Sequence, residues 1–220
     1  MAAYPGLRLT GLPGFAAVRG EIAMGKARLE AFSDGVIAVI ITIMVLELKV
    51  PRGGELGDLP ELAPVFFSYV LSYLYVGIYW NNHHHMLHTV QRVTGGILWA
   101  NLHLLLWLSL IPFTTHWMAE SYFATWPTFA YGFVLLLAAI AYWVLQSCVI
   151  RTHGTGSLLA RAVGRDFKGK VSPLLYVSAI ALGFVATWLA LAVYVLVALL
   201  WLIPDRRIEK LVAGSSAAPD

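Results

Sequence analysis

The sequence has little charge and almost no cysteine. Asp, Glu, Lys and Arg make up 12% of its 220 residues, about half the share in an ordinary soluble domain, and 59% of the residues are hydrophobic. A soluble fold of this size would lack the polar side chains that cover a surface, so a soluble enzyme is excluded. Cys148 is the single cysteine, which excludes an intramolecular disulfide scaffold.

Long uncharged runs take the place of the missing polar residues. Several of them reach the roughly 20 residues that a helix needs to cross a bilayer. The runs predict membrane spans at about 31–46, 62–80, 96–117 and 126–150, followed by a charge-free run over 173–203. As one helix the last run would be about 46 Å long, which exceeds a hydrocarbon core of about 30 Å. Two helices with a break near Thr187–Trp188 would each have only about 15 residues, which is short, so the positions of the basic residues must decide between one span and two.

The positions of the basic residues predict the orientation. With six spans and both termini in the cytosol, every Lys and Arg except Lys49 and Arg52 falls on the cytosolic side, as the positive-inside rule requires. The sequence thus predicts an all-α, polytopic membrane protein. It consists of a flexible cytosolic extension (1–25), a six-helix transmembrane domain (26–204) and a cytosolic tail (205–220). The net charge of +3 is a topology signal and indicates no nucleic-acid partner.

The first span carries an acidic residue, Asp34, which is costly in a bilayer and typical of a functional position. One interpretation makes Ser33 and Asp34 helix-terminal residues that accept backbone hydrogen bonds. The other, which we favour, places them in a buried polar network with Arg28 and the polar cluster that follows the second span.

One stripe of the first helix combines small, aliphatic and hydroxyl side chains. Gly35, Val39, Thr42 and Leu46 follow one another at helical spacing, with Ile43 beside them. Such a stripe suits a pore, because aliphatic side chains close a pore by dewetting and a hydroxyl offers oxygen to a cation. The alternative is a packed apolar helix in which Thr42 bonds to its own backbone.

These residues resemble the first-helix signature of the prokaryotic transmembrane-protein-175 potassium channels. The resemblance rests on Arg28, the run Phe32–Gly35, Thr42 and the pair Leu46–Glu47. It continues through further matching segments and covers about residues 26–210; these segments are Trp80–His85, Asn101, Leu105 to Phe113, and Trp201–Arg207.

The resemblance implies a homotetramer of six-helix subunits in the inner (plasma) membrane, with the first helices around a central pore. It implies passive, weakly potassium-selective conduction without a cofactor or a metal site, and the sequence indeed has no Thr-Val-Gly-Tyr-Gly filter. Carried over, the gate falls on Val39, further constrictions on Ile43 and Leu46, and the selectivity layer on Thr42. The family's structural polar network falls on Arg28, Ser33, Asp34, Asn82, His84 and His85.

Other functions have weaker support. His84 and His88 would share a helix face, but no cysteine or carboxylate nearby completes a metal site. Ser33 and Asp34 are neighbours on one helix and point about 100° apart, which disfavours a hydrolase. The main alternative is a proton-coupled cation carrier with Asp34 and nearby histidines as a relay, although the sequence shows no inverted repeat. The basic loop 151–170 could attract anionic headgroups, but topology accounts for it.

Overall fold

Every regular element of the described chain is helical, which confirms the predicted all-α fold. The computed structural model describes residues 14–51, 53–163 and 167–202. A short 3₁₀ helix, Leu56–Leu62, precedes the second α-helix. The α-helices are α1 (Gly14–Leu46), α2 (Ala63–His88), α3 (Gly95–Ser109), α4 (Ile111–Glu120), α5 (Thr125–His153), α6 (Leu158–Val163), α7 (Phe167–Gly183) and α8 (Thr187–Leu202).

Four helical segments of the described chain are long and apolar enough to cross a membrane. They are Gly25–Leu46, Leu56–His88, Gly95–Glu120 and Thr125–His153. They match the first four predicted spans. α7 has 17 residues and α8 has 16, so each is only about 25 Å long.

The last two helices meet at a tight turn. α7 ends at Gly183 and α8 begins at Thr187, so the turn at 184–186 lies immediately before the predicted break at Thr187–Trp188. Gly183 explains the position, because a Cβ atom there would lie only 3.3 Å from the Cβ of Ala190. The missing side chain lets the start of α8 fold closely back onto α7.

The third span is interrupted at Leu110, between α3 and α4. Pro112 causes the interruption, since it has no N–H to donate to the carbonyl of Leu108 and its ring obstructs the preceding turn. Helical geometry resumes at once, as the Thr114 N–H donates to the Leu110 carbonyl at 3.1 Å.

α1 begins at Gly14, inside the segment 1–25 that the sequence predicts to be flexible. Residues 1–13, the end of the predicted domain and the predicted tail lie outside the described chain. Because α1 runs unbroken through Ser33 and Asp34, these two residues are in the interior of a helix. The helix-terminal interpretation of the pair is therefore wrong.

α5 is the central helix of the described chain and packs against α3, α4, α7 and α8. Its buried face includes three small residues: Gly132, Ala138 and Ala141. Small side chains let helix backbones approach closely, which strengthens packing where no hydrophobic driving force exists between helices in lipid.

Three buried tyrosines link α2, α5 and α8. The hydroxyl of Tyr75 donates to the Tyr194 carbonyl at 2.6 Å, and that of Tyr194 donates to the Thr128 carbonyl at 3.2 Å. The Tyr131 hydroxyl lies 3.0 Å from that of Ser72. Each phenol therefore has a partner, as polar groups inside a membrane require.

Replacing Gly132 with alanine is expected to destabilise this tyrosine cluster. The new Cβ would overlap the hydroxyl and ring of Tyr194, which would have to move away from Thr128. Overpacking of this kind costs about 1–3 kcal/mol, so the purified protein should melt at a lower temperature. Gly77→Ala is the matched control, because nothing lies within 4 Å of its added Cβ. Equal melting temperatures for the two variants would contradict the role assigned to Gly132.

Candidate functional site

α1 has one face buried against other helices of the same chain. Leu29, Ser33, Ile37, Ile40 and Met44 are each at most 6% exposed and recur at helical spacing. This face packs against α2, α3 and α4. The orientation of α1 is therefore set by contacts with three other helices.

Another face of α1 is exposed over its whole apolar length. Val39 is 56% exposed and Leu46 is 76% exposed. The exposed set contains all four predicted pore residues; its members are Phe32, Gly35, Val39, Thr42, Ile43 and Leu46. A helix with one apolar face left uncovered by its own chain offers that face to lipid or to another protein chain.

Thr42 is the hydroxyl residue of the exposed face. Its hydroxyl group donates to the Ala38 carbonyl at 2.9 Å, which is the intrahelical bond of the packed-helix alternative. That bond uses the hydroxyl hydrogen only. The oxygen lone pairs remain available, so the geometry is compatible with a cation that passes along this face.

A fully buried hydrogen-bonded chain connects the other side of α1 to α2 and α3. The Asn101 amide Nδ2 donates to Ser33 Oγ at 2.9 Å, and Ser33 Oγ donates to the Leu29 carbonyl at 2.8 Å. His83 Nε2 lies 2.7 Å from Asn101 Oδ1. Ser33, His83 and Asn101 are each at most 1% exposed.

The direction of these bonds determines the histidine tautomer. An amide oxygen can only accept, so His83 Nε2 carries the hydrogen that it donates to Asn101. The order of donation is then His83 to Asn101 to Ser33 to the backbone of α1. Three helices thus share one satisfied polar network, which orients α1 more specifically than apolar contacts alone.

Asp34 lies outside this buried chain. Its carboxylate is exposed and accepts a bond from the Trp80 indole nitrogen at 3.0 Å. The Trp80 ring stacks on the His84 ring, with centroids 5.8 Å apart, and His84 contacts the His88 ring at 4.6 Å. Asp34 and His84 therefore belong to one surface cluster, with Trp80 between them.

The remaining predicted network residues are dispersed. Arg28 is exposed and forms no ion pair with a described residue. Asn82 donates from Nδ2 to the Ile78 carbonyl at 2.8 Å, and His85 contacts the His84 ring. Within the described ranges, no three His, Cys, Asp or Glu side chains are grouped for metal binding.

The other end of α1 is tied to α4 by two polar contacts. His116 Nδ1 lies 3.3 Å from Glu47 Oε2, and Lys49 Nζ donates to Glu120 Oε1 at 3.0 Å. An open cavity of about 720 Å³ lies beside these contacts and reaches Ile43 on the exposed face of α1. The exposed face is thus held at both ends by contacts with neighbouring helices.

Sequence reasoning does not assign Asn101 or Trp80 to the network, and it does not single out His83 among the clustered histidines. Asn101 carries a recognisable signal, because an amide inside an apolar span needs partners. His83 carries none, since His83, His84, His85 and His88 are equivalent in the sequence. Only the rotation of α2 directs His83 inward and His84 outward.

Comparison with known proteins places this arrangement in a family. Residues 28–112 match the family model described as the endosomal/lysosomal potassium channel TMEM175. A potassium channel of Chryseobacterium is 54% identical over 187 residues, which are 85% of this chain and 97% of that protein. The endosomal/lysosomal proton channel TMEM175 of cattle (Bos taurus) is 34% identical over 83 residues, 32% of this chain and 17% of that protein.

A solved structure shares the fold as well. The crystal structure of a lysosomal potassium-selective channel TMEM175 homologue from Chamaesiphon minutus matches with a TM-score of 0.72 at 29% identity. The match covers 83% of this chain and 98% of that one. Sequence identity over most of the chain and a common fold lead to one conclusion: this chain is a multi-pass membrane channel that belongs to the TMEM175 family.

Proposed function

We propose that the chain is a passive potassium channel, weakly selective over sodium, in which four copies surround a central pore lined by α1. The observation that carries the proposal is the exposed face of α1, which puts Val39, Thr42, Ile43 and Leu46 on one side of a helix. Four copies of this face, turned toward a common axis, would cover one another. The potassium channel of Chryseobacterium, at 54% identity, supports the same substrate.

The aliphatic residues of this face would control water in the pore. Rings of Val39, Ile43 and Leu46 would narrow the pathway and exclude water when the chains approach one another. The ring of Thr42 would lie between them and offer oxygen atoms to a partly dehydrated cation. A single ring of hydroxyl groups replaces few water molecules, which accounts for weak rather than strict selectivity.

We propose that each subunit spans the membrane six times and that both of its termini lie in the cytosol. The membrane is the inner (plasma) membrane of the cell. α7 and α8 would be the fifth and sixth spans. Each is shorter than a hydrocarbon core of about 30 Å, and shorter helices are accommodated by local thinning of the bilayer. The positions of Lys and Arg support this orientation.

Flux measurements in liposomes test the proposed function. Liposomes that contain the purified protein and a potassium gradient are mixed with a proton-sensitive dye, and valinomycin provides the positive control. We expect rapid flux without any imposed proton gradient, and flux of rubidium and caesium too. Flux that appears only when a proton gradient is imposed would refute passive conduction.

Replacing Thr42 with alanine tests the proposed selectivity layer. The variant removes the only hydroxyl group of the exposed face of α1, so the preference for potassium should fall severalfold while conduction persists. Reversal potentials in mixed potassium and sodium solutions report the preference. Thr42→Ser keeps the hydroxyl and should retain the wild-type potential. An unchanged potential in Thr42→Ala would exclude this residue from selectivity.

A proton-coupled cation carrier is the second candidate function. The observation that favours it is the surface cluster in which Asp34 binds Trp80 and Trp80 stacks on His84. In that case Asp34→Asn should abolish proton-coupled flux while the protein still folds, because asparagine preserves an acceptor for the indole N–H. A channel should keep its passive potassium flux in the same variant.

A further inference from the structure

A small cavity lies apart from α1, among α2, α5, α7 and α8. Its volume is about 40 Å³. Most of its lining residues come from the halves of these helices that share one side of the membrane, and they include Tyr79, Asn82, Trp143, Gln146, Ser172 and Trp201. A drug-sized ligand needs roughly 300–1,000 Å³, so this cavity admits only a small chemical group.

Gln146 is the unusual residue of this cavity. Its side chain is only 8% exposed and makes no hydrogen bond with any described residue. Tyr79 lines the same cavity, and its hydroxyl also has no hydrogen-bond partner among the described residues. Buried polar groups are normally paired, so an unpaired amide beside an empty space indicates a missing partner.

Two other polar side chains of the lining, Ser172 and Asn82, already have hydrogen-bond partners. Ser172 Oγ donates to the Lys168 carbonyl at 2.8 Å and accepts from Trp201 Nε1 at 2.7 Å. The Asn82 amide donates within its own helix, as described above. The Gln146 carboxamide and the Tyr79 hydroxyl, in contrast, have hydrogen-bonding capacity to spare. Both can donate to an uncharged oxygen, and the lining contains no charged side chain.

The cavity opens to the surface beside basic residues. Trp143 is 55% exposed and lines the cavity, so the cavity reaches the membrane-facing surface. Gly169 also lines it, between Lys168 and Lys170 at the start of α7. Gln146 lies seven residues before the end of α5, which places it about 10 Å below the end of that helix. The hydrogen-bond donors of the cavity thus lie deeper in the membrane than the positive charges of Lys168 and Lys170.

This order along the membrane normal, with hydrogen-bond donors deeper than positive charges, matches one class of membrane molecule. A phospholipid carries uncharged ester carbonyls below a charged phosphate, and basic pockets between helices recognise anionic headgroups. We propose that this cavity binds an anionic phospholipid. One ester carbonyl accepts hydrogen bonds from Gln146 and Tyr79, the phosphate lies beside Lys170, and the acyl chains remain in the bilayer.

Thermal unfolding of the purified protein in detergent tests the site, with phosphatidylglycerol as the probe. Added diester phosphatidylglycerol should raise the melting temperature of the wild type by at least about 4 °C, because a ligand of the folded state stabilises it. Gln146→Leu should lose most of this rise and yet melt no lower than the wild type without lipid, since it removes an unpaired buried amide. A full rise in Gln146→Leu would overturn the proposal.

Two further lipids identify the recognised groups. Diether phosphatidylglycerol has the same headgroup but no ester carbonyls, and phosphatidylcholine has the carbonyls but no net charge. Each should need at least a fivefold higher concentration than diester phosphatidylglycerol for half of the maximal rise. Equal potency of the diether lipid would refute recognition of the ester, and equal potency of phosphatidylcholine would refute recognition of the charge.

Variants of the lining separate binding from folding. If Gln146→Leu cannot be purified, Tyr79→Phe takes its place. This variant removes only a hydroxyl group and should weaken the lipid effect. Ala139→Phe should fill the cavity and abolish the effect, because Ala139 is part of the lining. Ala181→Phe is the matched control and should respond like the wild type, since Ala181 is exposed on α7 and lies outside the lining. Equal loss in both phenylalanine variants would refute the cavity as the site.

Discussion

Val39→Asn is expected to increase potassium flux severalfold. Val39 is 56% exposed on the face of α1 that we assign to the pore, where its isopropyl group repels water. An amide at this position would keep the constriction hydrated and lower the barrier to ion passage. A barrier lower by about 1.4 kcal/mol makes passage tenfold faster. Single-channel conductance and liposome flux both report the change.

Two control variants make this prediction specific. Val39→Ile adds one methylene group to the constriction and should decrease flux. Val45→Asn introduces the same amide on α1, at a position rotated by about 120° from Val39 at 100° per residue. Val45 is also exposed, at 43%, so the two sites differ in direction rather than in burial. Flux that rises equally in Val39→Asn and Val45→Asn would refute a gate at Val39.

Asn101→Leu is expected to destabilise the folded protein more than any other single change in the polar chain. Asn101 is the central member, so its loss leaves His83 without an acceptor and Ser33 without a donor. Each buried polar group left unpaired costs about 1–3 kcal/mol. The variant should melt at a distinctly lower temperature, and its yield of folded protein should fall.

A combined variant separates the network from simple packing. If all three partners are replaced, as in Ser33→Ala with His83→Leu and Asn101→Leu, no polar group remains unpaired and much of the stability should return. Asn81→Leu is the matched single control, because Asn81 is exposed on α2 and should change stability by less than about 0.5 kcal/mol. A combined variant less stable than Asn101→Leu alone would contradict the network.

The membrane character of the protein could be predicted from its sequence because it depends on composition and on charge placement. The uncharged runs predict the four long spans without any knowledge of their neighbours, and the observed helices agree with them. Composition does not specify the exact position of the break between α7 and α8. Gly183 is one of 19 glycines, and its close approach to Ala190 is visible only once the two helices are packed together.

The candidate pore face of α1 could also be predicted from the sequence, because it depends on a single segment. The spacing of Gly35, Val39, Thr42 and Leu46 is a property of one helix, and a shared face follows from helical geometry alone. The structure adds that this face is left uncovered by the rest of the described chain. That fact depends on which side of α1 the neighbouring helices occupy.

The polar network could not be assigned from the sequence. His83, His84, His85 and His88 lie within six positions, and nothing in their order tells which one points inward. The packing of α2 against α1 and α3 decides it, because His83 alone of the four reaches Asn101. Likewise, Asp34 and Ser33 are neighbours in the sequence, but successive side chains on a helix diverge by about 100°.

The sequence by itself therefore determined the class of protein, the long spans and the candidate pore face, since each of these is a property of single segments in a bilayer. The tertiary structure decided which polar residues meet, where the last two helices turn, and that Gln146 faces a cavity without a partner. These features depend on distances between segments far apart in the chain. Such distances follow from how the helices rotate and pack against one another, which no single segment specifies.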